Sequence, residues 1–410
     1  MAYRYLDSSP LVFTAFVSHP KGYCETMSKS NTSPITSSRQ RGKKMRRIPI
    51  YALQPGMKVA RPVYGSEGLV LLQRNMILTR RYITQLKQLG MPFLYIDDGM
   101  LDGHDVADVI RDETRHQAVL RVRDLVAAVE TPNPQSHVLL RTQQASRTVH
   151  DIVSDLLSQR NLMVNLVDIR LEDDYLFSHS VNVCILSLIT GLTAGLKRDQ
   201  LVTLGVGAIL HDVGKGALPH HILYKNGSLT AEEFDVIKTH TTKGYEILLN
   251  TPEGREVALE HHERYDGNGY PDGKQGRQIS QNAQIASICD VYDAVTSVRI
   301  YRAAHPPHEA VELVSASGNR AFSLDLVQKF LRNIAAYPSG SIVELSDQRV
   351  GIVIDTPPGF SKYPRVRLLF DQDKQPYKRT LEINTLDHPS LMIRKVLTEE
   401  EFAALRGIVI

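Results

Sequence analysis

Five short segments of this chain supply side chains suited to holding a cation. They are FSHSVN (His179), ILHDVGKG (His211, Asp212), IKTHTTKG (His240), LEHHERYDG (His261, His262) and CDVYDA (Asp290, Asp293). Taken singly, each is weak. A lone histidine on an apolar helix is more often a hydrogen-bonded core residue, a His-Asp pair arises often by chance, and a histidine pair at a helix end interacts favourably with the dipole. The combination is harder to dismiss. His179, His211, His240 and Asp290 sit in segments of helical character with apolar neighbours such as VNVCILSLI, LGVGAIL and AQIASI. Polar groups there face the interior, where several imidazoles and carboxylates satisfy one another best around cations. Two carboxylates and five imidazoles exceed what one four-coordinate zinc uses. The count suits two octahedral-type ions such as iron or manganese, with one carboxylate shared. Two ions about 3.5–4 Å apart can hold a bridging hydroxide, clamp a phosphate oxygen and stabilise the leaving oxygen of an in-line displacement. Lys215, in HDVGK, would neutralise a phosphate oxygen as charge builds. Without metals, a solvated lysine past a helix end is an equally good reading.

These segments need a helical scaffold, and the rest of the chain is consistent with one. At 410 residues it is too long for one ordinary core and suits two or three domains. Residues 1–47 carry nine Lys/Arg against two Asp/Glu, so a chain of net charge +3 has a body of net −4. That body argues against a nucleic-acid polymer as partner, which would need a basic face. Residues 1–47 read as a disordered basic tail, upstream of a natural start near Met45. Residues 48–100 read as a small α+β regulatory unit: strands in MKVARPV and GLVLLQ, a helix ending at Gly90 and a return strand in FLYIDD. Residues 101–170 read as connecting helices and residues 171–336 as a mainly helical domain, in which Thr230 and Glu233 form a capping box. Residues 337–410 change period and read as a small β-rich module, with strands in SIVELS, RVGIVID and PRVRLLF. The fold class is therefore mainly α. The most apolar stretch, Val181 to Leu196, is interrupted by polar residues and shorter than the roughly 20 residues of a spanning helix, so no membrane span is expected. The N-terminus lacks a signal-peptide pattern. Cys24, Cys184 and Cys289, widely spaced and odd in number, read as buried or free thiols of a cytoplasmic protein.

The constellation closely resembles the HD-GYP family, a branch of the HD-domain phosphohydrolases that degrades the bacterial second messenger cyclic di-GMP. The resemblance spans about Leu171 to Ala336, and HHERYDGNGYP reproduces the long family motif HHE-x-x-DG-x-GYP unbroken. It also extends to the small unit that often precedes such modules, here IPIYALQPGMKVARPV onward. The resemblance implies metal ligation by His179, His211, Asp212, His240, His261, His262 and Asp290. It further implies catalytic roles for Asp212 and Lys215 and substrate contact by Lys215, Gly269, Tyr270, Arg299 and Arg302. Asp266-Gly267-Asn268-Gly269 then reads as a tight turn that presents Tyr270 to a guanine or phosphate.

The implied cofactors are two divalent ions, iron or manganese first, with magnesium, nickel and zinc as alternatives. The implied product is pGpG, GMP or both. Implied partners are cyclic di-GMP and, through the GYP surface, GGDEF-type diguanylate cyclases; a homodimer is compatible with the sequence. Four positions depart from common family patterns. Tyr175 stands where members with a third metal carry glutamate, and Asp173 and Asp174 have the wrong helical phase, so a two-metal site is expected. Val298 and Ile300 flank Arg299 in place of aspartate and proline, and AFSLDLV replaces F-D-P-x-L-V. The competing readings are a non-catalytic cyclic di-GMP receptor or GGDEF-docking module, and an HD-type hydrolase of another nucleotide.

Overall fold

A computed structural model describes residues 45–65, 69–102, 104, 108–129, 135–159, 162–164, 175–225, 227–251, 254–297 and 305–407. The chain opens with strands β1 (Arg46–Pro49), β2 (Lys58–Val59), β3 (Val63–Tyr64) and β4 (Val70–Leu72), helix α1 (Arg80–Gln88) and strand β5 (Phe93–Asp97). β5 runs between β1 and β2, antiparallel to both, and β3 pairs with β4. Helix α1 starts where the Thr79 hydroxyl accepts from the Tyr82 amide, and Gly90 just past its end takes a left-handed φ of +69°. Its buried Ile83 and Leu86 pack with Ile48, Leu94 and Ile96.

Met45, Arg46 and Arg47, expected in the basic tail, are part of the fold, and the rest of that expected tail lies outside the described residues. Met45 and Arg46 are buried, and Arg46 pairs across β1 with Ile96. The Arg46 guanidinium is held by Asp98 and Glu399, which is why a basic residue is tolerated inside.

Two long helices follow, α2 (Asp112–Val129) and α3 (Gln135–Ser158). The central helices are α4 (Tyr175–Thr193), α5 (Arg198–Leu210), α6 (His220–Leu223), α7 (Ala231–Lys238), α8 (His240–Ile247), α9 (Arg255–Glu260), α10 (Gln281–Thr296), α11 (Pro307–Ala316) and α12 (Leu324–Leu331). One hydrophobic cluster runs from Val109 to Ala336, so α2 and α3 share their core with the helices that carry the chemistry. Segment Leu176–Thr193 of α4 is long and apolar enough to cross a membrane, but 78% of it is buried inside the fold, where it forms a central helix. Cys184 and Cys289 are free and buried in the same cluster, and burial pushes the Cys289 thiol up to about 12. The expected capping box is present: the Thr230 hydroxyl accepts from the Glu233 amide and the Glu233 carboxylate accepts from the Thr230 amide. Two helices follow it, α7 and α8, which meet at Thr239 and leave His240 at the head of α8.

The C-terminal part is an antiparallel five-stranded sheet of order β10-β6-β7-β8-β9, followed by α13 (Glu399–Leu405). Its strands are β6 (Ile342–Leu345), β7 (Val350–Asp355), β8 (Arg365–Phe370), β9 (Pro376–Asn384) and β10 (Ile393–Val396). The first three match the alternating segments of the sequence. Most residues of β9 are exposed, so its sequence carries no buried face to recognise. Ile342, Val350, Ile352, Phe370 and Phe402 of this part share a core with Met45, Phe93, Tyr95 and Leu101 of the N-terminal unit.

Two glycines set the spacing between α5 and α9, the helix that leads into the histidine pair. A Cβ at Gly207 would lie 2.5 Å from Cγ2 of fully buried Val257 and 2.9 Å from the Gly254 carbonyl. Gly254 itself has φ +87°. Gly207→Ala should therefore cost about 1–3 kcal/mol through overpacking. Urea denaturation reads the loss; an unchanged midpoint would mean that α9 is not pinned there.

Candidate metal centre

The seven predicted ligands come together from six places in the helical region. His179 lies in α4, and His211 ends α5. Asp212 precedes the 3-10 turn Val213–Ala217, which contains Lys215. His240 opens α8, His261 and His262 follow α9, and Asp290 lies in α10. Their ligand atoms form two groups within 4.8 Å: Asp212, His240, His261 and His262 in one, and His179, His211 and Asp290 in the other. Asp212 stands between them. Its Oδ2 is 3.3 Å from His211 Nε2, while Oδ1 lies 3.5 Å from His240 Nε2 and 3.8 Å from His261 Nε2.

Hydrogen bonds fix which nitrogen of each ring is available. Nδ1 of His211 lies 2.7 Å from the Ala208 carbonyl and Nδ1 of His240 lies 2.7 Å from the Ile237 carbonyl. Nδ1 of His261 lies 3.0 Å from the Val257 carbonyl. A carbonyl only accepts, so each Nδ1 carries the proton and each neutral ring turns the lone pair of Nε2 into the pocket. His179 uses a carboxylate for the same purpose: Nδ1 is 2.7 Å from Asp293 Oδ2, with Nε2 3.0 Å from Asp290 Oδ1.

Charge in the pocket points to a cation. Burial pushes His240 down to about 3, against the pull of Asp212, and drives His261 well below the usual imidazole range. Burial by itself would raise the Asp212 carboxyl, but Lys215 and the His211 and His240 imidazoles hold it well below the ordinary value. Asp290 is likewise held down, against burial, by its hydrogen bond and charge interaction with His179. His240 and His261 are thus neutral and the two acids ionised, the state that binds metal. His240 Nε2 and His261 Nε2 face each other at 3.3 Å, two lone pairs without a proton between them. His211 Nε2 and Asp212 Oδ1 are buried without any hydrogen-bond partner. A divalent ion in each group would satisfy these atoms, so the residues present fit the metals that the sequence implies.

Lys215 Nζ is 2.8 Å from Asp212 Oδ2 at the partly open side of the pocket. Gly214 explains the tight HDVGK turn, because a Cβ there would lie 2.0 Å from the His240 carbonyl. The DGNG segment turns as expected, with a division of labour. Gly267 takes the positive φ of +81°, and the Asp266 carboxylate accepts from the Asn268 amide. Gly269 is needed for close approach, since its Cβ would meet the Arg264 amide nitrogen at 2.3 Å. Tyr270 stacks on the His262 ring with centroids 4.8 Å apart and donates its amide to the His262 carbonyl. The Lys238 ammonium lies 5.9 Å from the Tyr270 ring, a cation that sequence reasoning missed.

Also missed were Asp293 as the partner behind His179 and buried Glu263. The Glu263 carboxylate accepts from the amides of Asp272 and Lys274 and so closes the loop. The E of the HHE motif was the available signal for Glu263. Arg299 and Arg302 lie outside the described residues, as do Val298, Ile300, Asp173 and Asp174.

Comparison with known proteins agrees with this geometry. Residues 151–323 match the HD domain family, and residues 342–405 match a KOW domain associated with HD domain. Cyclic di-GMP phosphodiesterase PA4108 of Pseudomonas aeruginosa is 34% identical over 266 residues, covering 64% of each chain. A cyclic di-GMP phosphodiesterase of Thermotoga maritima is 39% identical over 143 residues, covering 34% of this chain and 39% of the relative. Residues 151–323 are thus an HD domain, and they contain the unbroken segment HHERYDGNGYP. The chain is also similar to the 3'3'-cGAMP-specific phosphodiesterase 2 of Vibrio cholerae, 35% identical over 144 residues, covering 34% of this chain and 28% of that one. The chain spans less than two thirds of the length of these relatives. Divalent metal binding is thus supported by both the HD domain match and the ligand cluster.

Two outcomes follow from the site. His240 takes up a proton near pH 6.5 when unfolded but only near pH 3 when folded, so its contribution to stability is complete above 6.5 and lost as pH falls toward 3. Chelator-treated protein should lose about 1.4 kcal/mol per pH unit through this window for that ring alone. Urea midpoints that stay level from pH 7.5 to 4.5 would contradict it. Glu263→Ala should leave two amides unsatisfied and speed hydrogen exchange at Asp272 and Lys274 by about tenfold; unchanged rates would show that the loop is held elsewhere.

Proposed function

We propose that this protein is a metal-dependent phosphodiesterase that opens cyclic di-GMP to pGpG, with GMP as the product of a second cut. The observation that carries the reading is Asp212, whose two carboxylate oxygens face separate imidazole groups in a pocket with unsatisfied buried atoms. His179, His211, Asp290 and one oxygen of Asp212 would hold one ion. His240, His261, His262 and the other oxygen would hold the second. Iron or manganese suits the mixed imidazole and carboxylate donors. Tyr175 at the start of α4 leaves the third-metal position without a carboxylate, so two ions are proposed.

Held by these groups, the ions supply an activated water and an electrophilic clamp on one phosphodiester. The water oxygen bonds phosphorus as the bond to a ribose 3′ oxygen breaks, and the proton passes to that leaving oxygen. Lys215 lies beside Asp212 and offsets charge on the phosphate oxygens. Gly269 and Tyr270 line the approach, and Arg299 and Arg302 would add guanidinium forks for the phosphates. On this reading residues 48–100 form a regulatory unit, and the exposed Pro271 beside Tyr270 belongs to a surface suited to GGDEF-type partners.

Incubation of the Mn(II)- or anaerobic Fe(II)-loaded protein with cyclic di-GMP, followed by chromatography, tests the reading. Linear pGpG should form. Asp212→Asn should abolish turnover, and Lys215→Met should lower kcat by about 10²–10³-fold. Intact cyclic di-GMP after incubation of folded, metal-loaded protein would overturn the proposal. The resemblance to a 3'3'-cGAMP-specific enzyme makes that dinucleotide the second substrate to assay. Faster turnover of it would reassign the substrate while keeping the chemistry.

A further inference from the structure

A continuous buried chain of polar contacts leads from the N-terminal unit to a metal ligand. Arg61, between β2 and β3, is only 5% exposed. Its Nη2 lies 3.0 Å from Asp108 Oδ2, and it also pairs with Asp112 at the start of α2. Asp108 Oδ1 accepts from Arg115 Nη2 at 3.1 Å, and Arg115 Nη1 donates to Asn182 Oδ1 at 2.6 Å. Asn182 Nδ2 then donates to Asp293 Oδ1 at 3.2 Å. The other oxygen of Asp293 holds His179 Nδ1 at 2.7 Å. Five consecutive contacts therefore join a loop of the small sheet to the ring whose Nε2 faces Asp290. A stack of Tyr64 in β3 on His116, with centroids 4.3 Å apart, seats the adjoining β3–β4 pair on α2.

The directions of the contacts are fixed by chemistry. Arg115 can only donate, so Asn182 must present its oxygen to Arg115 and its amide to Asp293. Asp293 is then held on both sides, and its second oxygen is aimed at His179. A carboxylate so placed fixes the tautomer and angle of a metal-binding imidazole and raises its basicity. Asp293 follows Asp290 by one helical turn of α10, so a single helix supplies the candidate ligand on one side of the ring and its support on the other.

We propose that Asp293 is a positioning residue for His179, and that the chain Arg61–Asp108–Arg115–Asn182–Asp293 lets the seating of the N-terminal unit set metal affinity in the His179–His211–Asp290 group. The inference rests on the reading of these residues as ligands and extends it to their control. Docking of the N-terminal sheet holds Arg115 extended toward Asn182. Displacement of the sheet removes Arg61 from Asp108 and leaves Arg115 to re-pair with the acids around it. That change reaches only one of the two groups, because His240 and His261 are oriented by backbone carbonyls of their own helices.

The test is Mn(II) binding to the full-length protein, followed by titration and by elemental analysis after dialysis. Wild type should show two binding steps. Asp293→Asn should weaken one step by about 10- to 100-fold and leave the other unchanged. Arg115→Met and Arg61→Met should weaken the same step by about two- to thirtyfold. The effects of Arg61→Met and Asp293→Asn should be less than additive in the double variant. Arg349→Met serves as the control, since Arg349 pairs with Asp347 in the turn before β7, away from the chain of contacts. It should leave both steps intact.

Arg61→Lys, which keeps the charge, covers the case in which Arg61→Met does not fold. It should shift the step in the same direction by a smaller factor. Equal weakening of both steps, full additivity, or an Arg349→Met effect as large as that of Arg61→Met would overturn the proposal. Absence of any Mn(II) binding by wild type would instead sink the metal reading beneath it.

Discussion

The structure turns on a crowd of neutral imidazole lone pairs gathered around ionised carboxylates in a pocket closed to most water. The rings of His179, His211, His240 and His261 are each locked by a hydrogen bond on the far nitrogen, so these four cannot turn away to relieve the repulsion. The protein stabilises this arrangement with the large apolar cluster that surrounds it. A pocket of this kind is costly when empty and favourable when filled by positive charge. The surrounding helices can be understood as the means of holding those nitrogens in place before any ion arrives.

Small residues make the convergence geometrically feasible. Gly214 lets the turn after Asp212 touch the backbone of His240, Gly207 lets α5 approach α9, and Gly269 lets the loop fold back on Glu263 and Arg264. In each case an added methyl group would push apart two segments that deliver ligands or shape the approach. The glycines of this region therefore act mainly through contact distance, and Gly254 and Gly267 also through backbone handedness.

Much of the site was legible in the sequence because ligand chemistry admits few residue types. His179, His211, Asp212, His240, His261, His262 and Asp290 could be named from type, order and apolar context, and all seven meet. Asp293 was visible as an acid but not as a support, since ligand and partner share the same chemistry and differ only in which ring nitrogen they face. Arg61, Asp108 and Arg115 gave no signal at all: charged residues in a sequence read as solvated, and only tertiary packing buries them together. The same limit applied to β9, whose exposed residues lack a hydrophobic period, and to Arg46, which reads as tail until Asp98 and Glu399 are placed around it.

The shared core of the first strands and the last sheet has a consequence for inheritance. Phe93, Tyr95 and Met45 are covered by Ile342, Ile352, Phe370 and Phe402, and Arg46 reaches across to Glu399. The two flanks, far apart in the chain, are one body in space, with the helical region spliced between them. A gene rearrangement that kept either flank alone would strand an apolar face and a buried cation in water. The KOW-like segment and the small N-terminal unit should therefore travel through evolution as a couple.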